Sequence, residues 1–173
     1  QSADILGALL FTGAIMAILG SHEMGHKLLA DKHDVEATYP YFIPGLPPIG
    51  TLGALIRQKA LPPNKDALFD IGFTGPITGF IIAAIVTIIG IQLSVRVPLD
   101  PEASYIPVPL LFQFIIMLFP PSGIGDAIQL HPVAFAGWVG MIVTMLNLVP
   151  SGMFDGGHVA RSVLGSKAHQ IIS

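Results

Sequence analysis

Two long apolar stretches, at about residues 5–30 and 68–95, constrain the fold of this chain more than any other feature. A helix needs about 20 predominantly apolar residues to cross the hydrocarbon core of a bilayer, and both stretches reach that length. Charged residues make up only 11% of the chain and the mean hydropathy is +0.72, whereas about 25% of residues are charged in an ordinary soluble domain. The sequence therefore predicts an all-α polytopic membrane protein.

A third apolar stretch, at about residues 133–165, completes a predicted core bundle of three spans. Pro150 falls inside this stretch. A proline removes one backbone hydrogen bond and clashes with the preceding turn, so we expect the third span to be broken. Because no linker-like segment divides the chain, we expect residues 1–173 to form a single membrane-embedded domain.

Shorter segments connect these spans. Residues 35–60 contain four prolines and the strand-like run "TLGALIRQK", which predicts a small β or re-entrant element after the first span. Residues 105–120 are apolar but short and contain two early prolines, which favours a re-entrant or interfacial segment over a crossing. Residues 120–132, "PPSGIGDAIQLHP", read as a loop.

The basic residues predict how the chain is oriented. Five of them lie around the connection between the first two spans, whereas the segment after the second span contains only Arg96. Basic residues accumulate in cytoplasmic loops, so the first connection and the end of the third span should lie on the cytoplasmic side. The five residues are Lys27, Lys32, Arg57, Lys59 and Lys65.

Charge and cysteine content narrow the possible chemistry. The formal net charge is −3 and no basic stripe is present, so we expect no nucleic-acid partner. The chain has no cysteine. Thiolate metal sites, disulfides and cysteine nucleophiles are therefore excluded, and histidine and carboxylates are the candidate metal ligands.

The first apolar stretch ends in the motif SHEMGH, residues 21–26. In a helix His22 and His26 project from one face, a spacing that lets two imidazoles bind one zinc ion, with Glu23 beside them to accept a proton from water. On a solvated helix this pattern could arise by chance. In the middle of a membrane span a carboxylate costs about 2.5–3.5 kcal/mol on insertion scales, which favours a functional interpretation.

Asp155 is a second acid embedded in apolar sequence, in "NLVPSGMFDGGH". Non-helical backbone at membrane depth is tolerated only inside protein or beside a water-filled cavity, so a break at Pro150 predicts a polar pocket. In that pocket Asp155 could reach a metal held by His22 and His26. The alternative is that Asp155 caps the helix that follows it, and the two roles are compatible.

Together these motifs resemble those of the site-2 proteases, zinc metalloproteases that cut their substrates within the membrane. The resemblance rests on HExxH at residues 22–26, on Asn147-Leu148-Val149-Pro150 and on Asp155-Gly156, with "GPITG" in the span between. It covers nearly the whole chain and is strongest to archaeal and bacterial members. The family's Leu-Asp-Gly is Phe154-Asp155-Gly156 here, a departure that leaves the aspartate in place.

The resemblance implies a role for each motif residue. His22, His26 and Asp155 would ligate one Zn²⁺ per chain. Glu23 would be the general base. Asn147 would hold the substrate or the developing oxyanion.

The resemblance also implies the partners and the location: a membrane-spanning protein substrate, the lipid bilayer and a prokaryotic cell membrane. The basic residues put SHEMGH and FDGGH on the same side, so we expect the active site nearer the cytoplasmic side. A substrate helix must unwind before it is cut, because its carbonyls are bonded internally. The strand-like run could accept the extended substrate through main-chain hydrogen bonds. The predicted substrate-binding residues are Asn147, Thr51, Leu52, Gly53, Ala54 and Leu55.

Two other functions would use the same residues. A membrane metal transporter would use the His and Asp residues as a transient site, and a catalytically inactive scaffold would bind transmembrane segments without cutting them. His158 lies three residues after Asp155 and could be a fourth ligand. A catalytic zinc, however, keeps one position open for water.

Overall fold

Two long helices dominate the computed structural model: α1, Ser2–Lys32, and α2, Lys65–Leu93. Both are long and apolar enough to cross a membrane by length and composition. The two predicted apolar stretches are thus confirmed as helices. The structure describes residues 2–44, 51–57, 62–150, 154–157, 159–160 and 162–163.

α2 begins at a capping residue and contains a proline. The Asn64 side chain accepts a hydrogen bond from the backbone N–H of Ala67 at 2.8 Å, which satisfies one of the free donors of the first turn. Pro76 lies inside the helix. The hydroxyls of Thr74 and Thr78 on either side of it bond the carbonyls four residues earlier, so these polar groups are satisfied within the apolar helix.

Between α1 and α2 lies a hairpin of β1, Tyr41–Pro44, and β2, Thr51–Leu55. The strands are antiparallel, with Tyr41 opposite Leu55 and Phe42 opposite Ala54. The first pair is exposed, whereas Ala54 is buried and Phe42 is half-buried. The small β element predicted within residues 35–60 is therefore present, with one face covered.

The last long helix is α4, Pro132–Asn147. Its 16 residues span about 24 Å at 1.5 Å per residue, less than a full crossing. The helix ends three residues before Pro150, and residues 154–157 include a separate helical turn. A broken third span over residues 133–165 stays a prediction, because residues 151–153, 158, 161 and 164–173 lie outside the described residues.

The chain forms two compact units, Gln1–Ile15 with Ala83–Met141 and Met16–Ile82 with Ile142–Ser173. The first unit contains α3, Leu110–Leu118, within the segment predicted as re-entrant or interfacial. It also contains a sheet of three short strands, in which the first strand along the chain lies between the other two. They are β3, Val95–Val97, β4, Ser122–Gly123, and β5, Ala127–Gln129.

The loop predicted at residues 120–132 is therefore wrong in part, because β4 and β5 lie inside it. β3 pairs with β4 in parallel and with β5 antiparallel. The partners are far apart in sequence, and two- or three-residue strands carry too little periodicity to be recognised. Gly123 and Gly125 have positive φ angles of 98° and 148°, which glycine adopts readily.

Candidate metal centre

His22 and His26 lie near the end of α1. Both are buried, at 4% and 6% exposure, and their Nε2 atoms are 3.1 Å apart. His26 lies about 9 Å along the helix axis from Lys32, the last residue of α1, at about 1.5 Å per residue. The histidine pair thus lies close to one end of a helix that could cross a membrane.

Asp155 joins the two histidines to form a cluster of three donor atoms. Its Oδ2 lies 3.0 Å from Nε2 of His22 and 3.2 Å from Nε2 of His26. The carboxylate is one-quarter exposed, whereas the imidazoles are almost fully enclosed. The structure therefore brings together the three residues that the sequence singled out as metal ligands.

A glycine allows the chain to place Asp155 at the cluster. Asp155 lies in the first turn of a helical segment, where the N–H of Gly157 donates a 2.9 Å hydrogen bond to the carbonyl of Phe154. A Cβ on Gly156 would collide with the carbonyl of Leu148. Only glycine lets this turn approach the backbone that follows α4 so closely.

The His26 ring is oriented by a backbone carbonyl. Its Nδ1 donates to the carbonyl oxygen of Ile71, in α2, at 2.6 Å. Because the proton then resides on Nδ1, the lone pair of Nε2 faces the cluster and is free to bind a metal. A second partner of this kind fixes the ring and its tautomer in metal sites.

The three donor atoms fit a zinc ion. Zinc binds nitrogen and oxygen ligands at about 2.0–2.1 Å, and regular tetrahedral bonds of that length separate the ligand atoms by about 3.3–3.4 Å. The observed separations are 3.0, 3.1 and 3.2 Å. Three protein donors also leave one position of the tetrahedron open, as a catalytic zinc site requires.

Glycines of α1 and α2 make room for the imidazoles. A Cβ on Gly75 would overlap the ring of His26, and one on Gly79 would lie 3.0 Å from Cβ of His22. On the other helix, a Cβ on Gly25 would lie 3.1 Å from Cα of Gly75. Small residues on both helices permit such a close crossing. Gly75 and Gly79 of α2 therefore lie directly against the two imidazoles of α1.

Glu23 lies beside the cluster. One of its carboxylate oxygens is within 4.8 Å of the donor atoms of His22 and His26. Its Oε2 also accepts a hydrogen bond from the backbone N–H of Ile56 at 3.2 Å. A carboxylate at this position can accept a proton from a water held between it and the donors.

The remaining predicted site residues are Asn147, the substrate-binding segment 51–55 and His158. Asn147 is the last residue of α4, and its Nδ2 is 3.5 Å from Nε2 of His22, the long limit of a hydrogen bond. The predicted substrate-binding segment forms β2, and Ile56 follows it directly. His158 lies outside the described residues.

Sequence reasoning missed two groups of this site, the N–H of Ile56 and the carbonyl of Ile71. Both belong to the backbone. Every residue carries a backbone carbonyl and, except proline, an N–H, so residue type gives no signal for them. Only the fold shows which of these groups face the site.

Comparison with known proteins agrees with these motifs. The family model described as Peptidase family M50 matches residues 10–173. Among curated proteins, the chain is 32% identical over 165 residues to "Probable zinc metalloprotease EGY1, chloroplastic" of Arabidopsis thaliana, covering 89% of this chain and 29% of that protein. No solved structure matches.

Two further Arabidopsis thaliana relatives are similar. The chain is 30% identical over 154 residues to "Probable zinc metalloprotease EGY2, chloroplastic", covering 87% of this chain and 28% of the relative. It is 28% identical over 177 residues to "Probable zinc metallopeptidase EGY3, chloroplastic", covering 93% and 31%. The chain thus spans less than a third of the length of these relatives. The match of residues 10–173 to the family model shows that the chain belongs to peptidase family M50, the site-2 protease family.

Proposed function

We propose that this chain is the catalytic core of an intramembrane zinc endopeptidase that hydrolyses peptide bonds of membrane-spanning protein substrates. One observation carries the proposal: His22, His26 and Asp155 converge to within 3.0–3.2 Å of one another. The two histidines belong to a helix long and apolar enough to cross a membrane. Family membership and the names of the relatives support the same chemistry.

The proposed mechanism assigns each residue one task. His22, His26 and Asp155 hold the zinc ion, which when bound supplies a Lewis acid that makes water nucleophilic near neutral pH. Glu23 accepts the proton of the attacking water and returns it to the nitrogen of the leaving amine. The Asn147 amide donates a hydrogen bond to the oxygen on which negative charge develops.

The proposed membrane arrangement follows from the helices and the charges. α1 and α2 cross the bilayer, and residues 133–165 form the third, broken span. The basic residues around the connection of the first two spans support a metal centre nearer the cytoplasmic side. We propose that the core is one membrane-embedded domain, residues 1–173, of a multi-pass protein in a prokaryotic cell membrane.

The hairpin suggests where the substrate binds. The carbonyl of Arg57 accepts a hydrogen bond from the N–H of Thr38 at 3.0 Å, and the N–H of Arg57 donates to the Thr38 hydroxyl at 2.9 Å. The N–H of the preceding residue, Ile56, donates instead to the carboxylate of Glu23. Backbone groups alternate sides along an extended strand, so Ala54 faces the same way as Ile56. An unwound substrate that pairs with this outer edge of β2 would pass beside Glu23.

This proposal is tested by a cleavage assay with purified protein in detergent micelles. The probe is a panel of single-span transmembrane peptides that carry a fluorophore at one end and a quencher at the other. The wild type should cut members of the panel, and Glu23→Gln should lose most turnover but keep its zinc, because the general base contributes about 10²–10⁴-fold. Glu102→Gln, an exposed acid in the other unit, is the matched control.

The assay also separates the rival functions. A metal transporter would move zinc into vesicles without cutting any peptide. An inactive scaffold would bind the peptides and leave them intact. Cleavage that persists in Glu23→Gln would refute the assignment of the base.

A further inference from the structure

The hairpin and two residues that flank it, Tyr39 and Ile56, contact one face of α1 at three points. A Cβ on Gly20 would lie 3.2 Å from Cζ of Phe42, and the ammonium of Lys27 lies 5.0 Å from the centre of the Tyr39 ring. Between these points the carboxylate of Glu23 accepts the N–H that follows β2. Residues 20, 23 and 27 are spaced by three and four, so they share one face of the helix.

The three contacts differ in kind: one is apolar, one is a hydrogen bond to a backbone N–H, and one is a cation–π contact. Lys27 is 8% exposed and its Nζ also bonds both carboxylate oxygens of Asp31 at 2.6 Å. Gly20 and Lys27, which contact Phe42 and Tyr39, lie on either side of Glu23 along the helix. The hairpin is therefore held on α1 by side-chain contacts above and below the carboxylate.

The backbone direction of the strand explains why Ile56 reaches Glu23. Arg57 uses its N–H and its carbonyl to bond Thr38. Because the backbone groups of consecutive extended residues point to opposite sides, the N–H of Ile56 then points away from Thr38. A backbone donor in this half-buried position needs an acceptor, and Oε2 of Glu23 provides it.

We propose that the β1–β2 hairpin is a positioning element for the general base, and that the backbone N–H of Ile56 fixes the Glu23 carboxylate. This inference rests on the proposed function. A glutamate has three side-chain torsions and would otherwise place its carboxylate in many positions. With Oε2 held by the amide, the other oxygen keeps a constant position for the proton transfer, which depends strongly on geometry.

The same strand links substrate binding to the base. Ala54, on the proposed substrate edge, is two residues from Ile56 and faces the same side. A peptide strand paired there would stabilise the segment that holds Glu23. The position of the hairpin would thus determine both where the substrate binds and how the Glu23 carboxylate is aligned.

Amide hydrogen exchange tests the contact without any assay of cleavage. It is measured on the zinc-loaded full chain in micelles, for the wild type, Glu23→Ala and Glu23→Gln. The Ile56 amide should exchange at least about tenfold faster in Glu23→Ala because its acceptor is lost, and near the wild-type rate in Glu23→Gln, whose side-chain oxygen still accepts. The Arg57 amide, bound to Thr38, should be unchanged in both variants.

A reciprocal variant controls for general loosening of the hairpin. Thr38→Ala should accelerate exchange of the Arg57 amide and leave that of Ile56 protected. Equal Ile56 exchange in the wild type and Glu23→Ala would overturn the proposal, whatever the cleavage assay shows.

Turnover of the labelled transmembrane peptides tests the positioning role. Ile56→Pro removes the N–H and should lower kcat about 10- to 100-fold at an unchanged zinc content and with KM within about threefold. Ile56→Ala restores the amide and should rescue kcat. Phe42→Ala leaves the hairpin backbone intact and should also lower kcat, by a smaller factor. It tests the positioning role even if Ile56→Pro fails to fold.

The two failures are distinguishable. If the wild type binds zinc but cuts no peptide, the proposed function fails. Exchange of the Ile56 amide still shows whether this N–H bonds the Glu23 carboxylate. If the wild type cuts and both Ile56→Pro and Phe42→Ala keep the wild-type kcat, the hairpin does not position the base and the inference is wrong.

Discussion

Oδ2 of Asp155 lies 3.0 Å from Nε2 of His22, although 133 residues separate them in the chain. This single distance joins the end of the first long helix to the turn that follows the last one. Neither motif could bind zinc as a catalytic site alone, because two histidines leave the usual third protein ligand missing. The fold of the second unit brings the Asp155 carboxylate to the position that such a third ligand would occupy.

Replacing Gly75 with alanine should disrupt the metal centre. A Cβ there would overlap the His26 ring, so the imidazole must move and the bond to the Ile71 carbonyl must break. We expect zinc binding to be lost or strongly weakened, with about 1–3 kcal/mol of destabilisation from overpacking. Zinc per chain and thermal unfolding in detergent measure the two effects.

Gly13→Ala is the matched control for that variant, because beyond the neighbouring helix backbone no atom of the described residues lies within 4 Å of its added Cβ. The same substitution in the same type of helix should leave zinc content unchanged. If Gly75→Ala bound zinc as the wild type does, the close crossing of α1 and α2 would have no role in the site.

Replacing Asn147 with alanine should impair turnover and spare the metal. Its amide lies at the edge of the cluster, and loss of one oxyanion donor costs about 10²–10³-fold in kcat. Asn64→Ala provides the comparison, since Asn64 caps α2 and its loss should cost about 0.5–2 kcal/mol of stability without lowering kcat. A wild-type kcat in Asn147→Ala would remove Asn147 from the mechanism.

Proline substitutions in β2 should separate the two edges of the strand. Ala54→Pro deletes an N–H that faces outward, a position where an edge strand tolerates proline, so the hairpin should persist while peptide cleavage falls. Leu55→Pro deletes an N–H on the side of β1 and should disrupt the hairpin itself. Peptide cleavage and amide exchange at Arg57 distinguish these results, and full cleavage by Ala54→Pro would refute the substrate edge.

Removing zinc should destabilise the protein. A ligand present at about 1,000 times its Kd stabilises the folded state by about 4 kcal/mol. A chelator should therefore lower the Tm of the wild type, and added zinc should restore it. The Tm of Asp155→Ala should respond much less to zinc; an equal response in both proteins would contradict the ligand assignment.

The features that the sequence predicted well have strong local signals. The two long helices follow from apolar length, and His22 and His26 follow from the four-residue spacing of one helix face. Asp155 was identified by its motif and by the break at Pro150. These signals depend on residue type and spacing, which the sequence displays directly.

The features that were missed depend on contacts between distant segments. The sheet of the first unit joins Val95–Val97 to strands that follow α3. The Ile56 and Ile71 backbone groups serve the site through their position alone. The contact of Gly75 with the His26 ring depends on the register of the two helices, which the sequence does not display.

The central claim is that the two distant motifs meet at one zinc ion. The most direct test is the zinc content per chain of detergent-purified wild type and Asp155→Ala, with Asp126→Ala, an exposed acid of the other unit, as control. We predict about one zinc per chain in the wild type and the control, and little or none in Asp155→Ala. Equal zinc in all three proteins would show that Asp155 is not a ligand and would contradict this account.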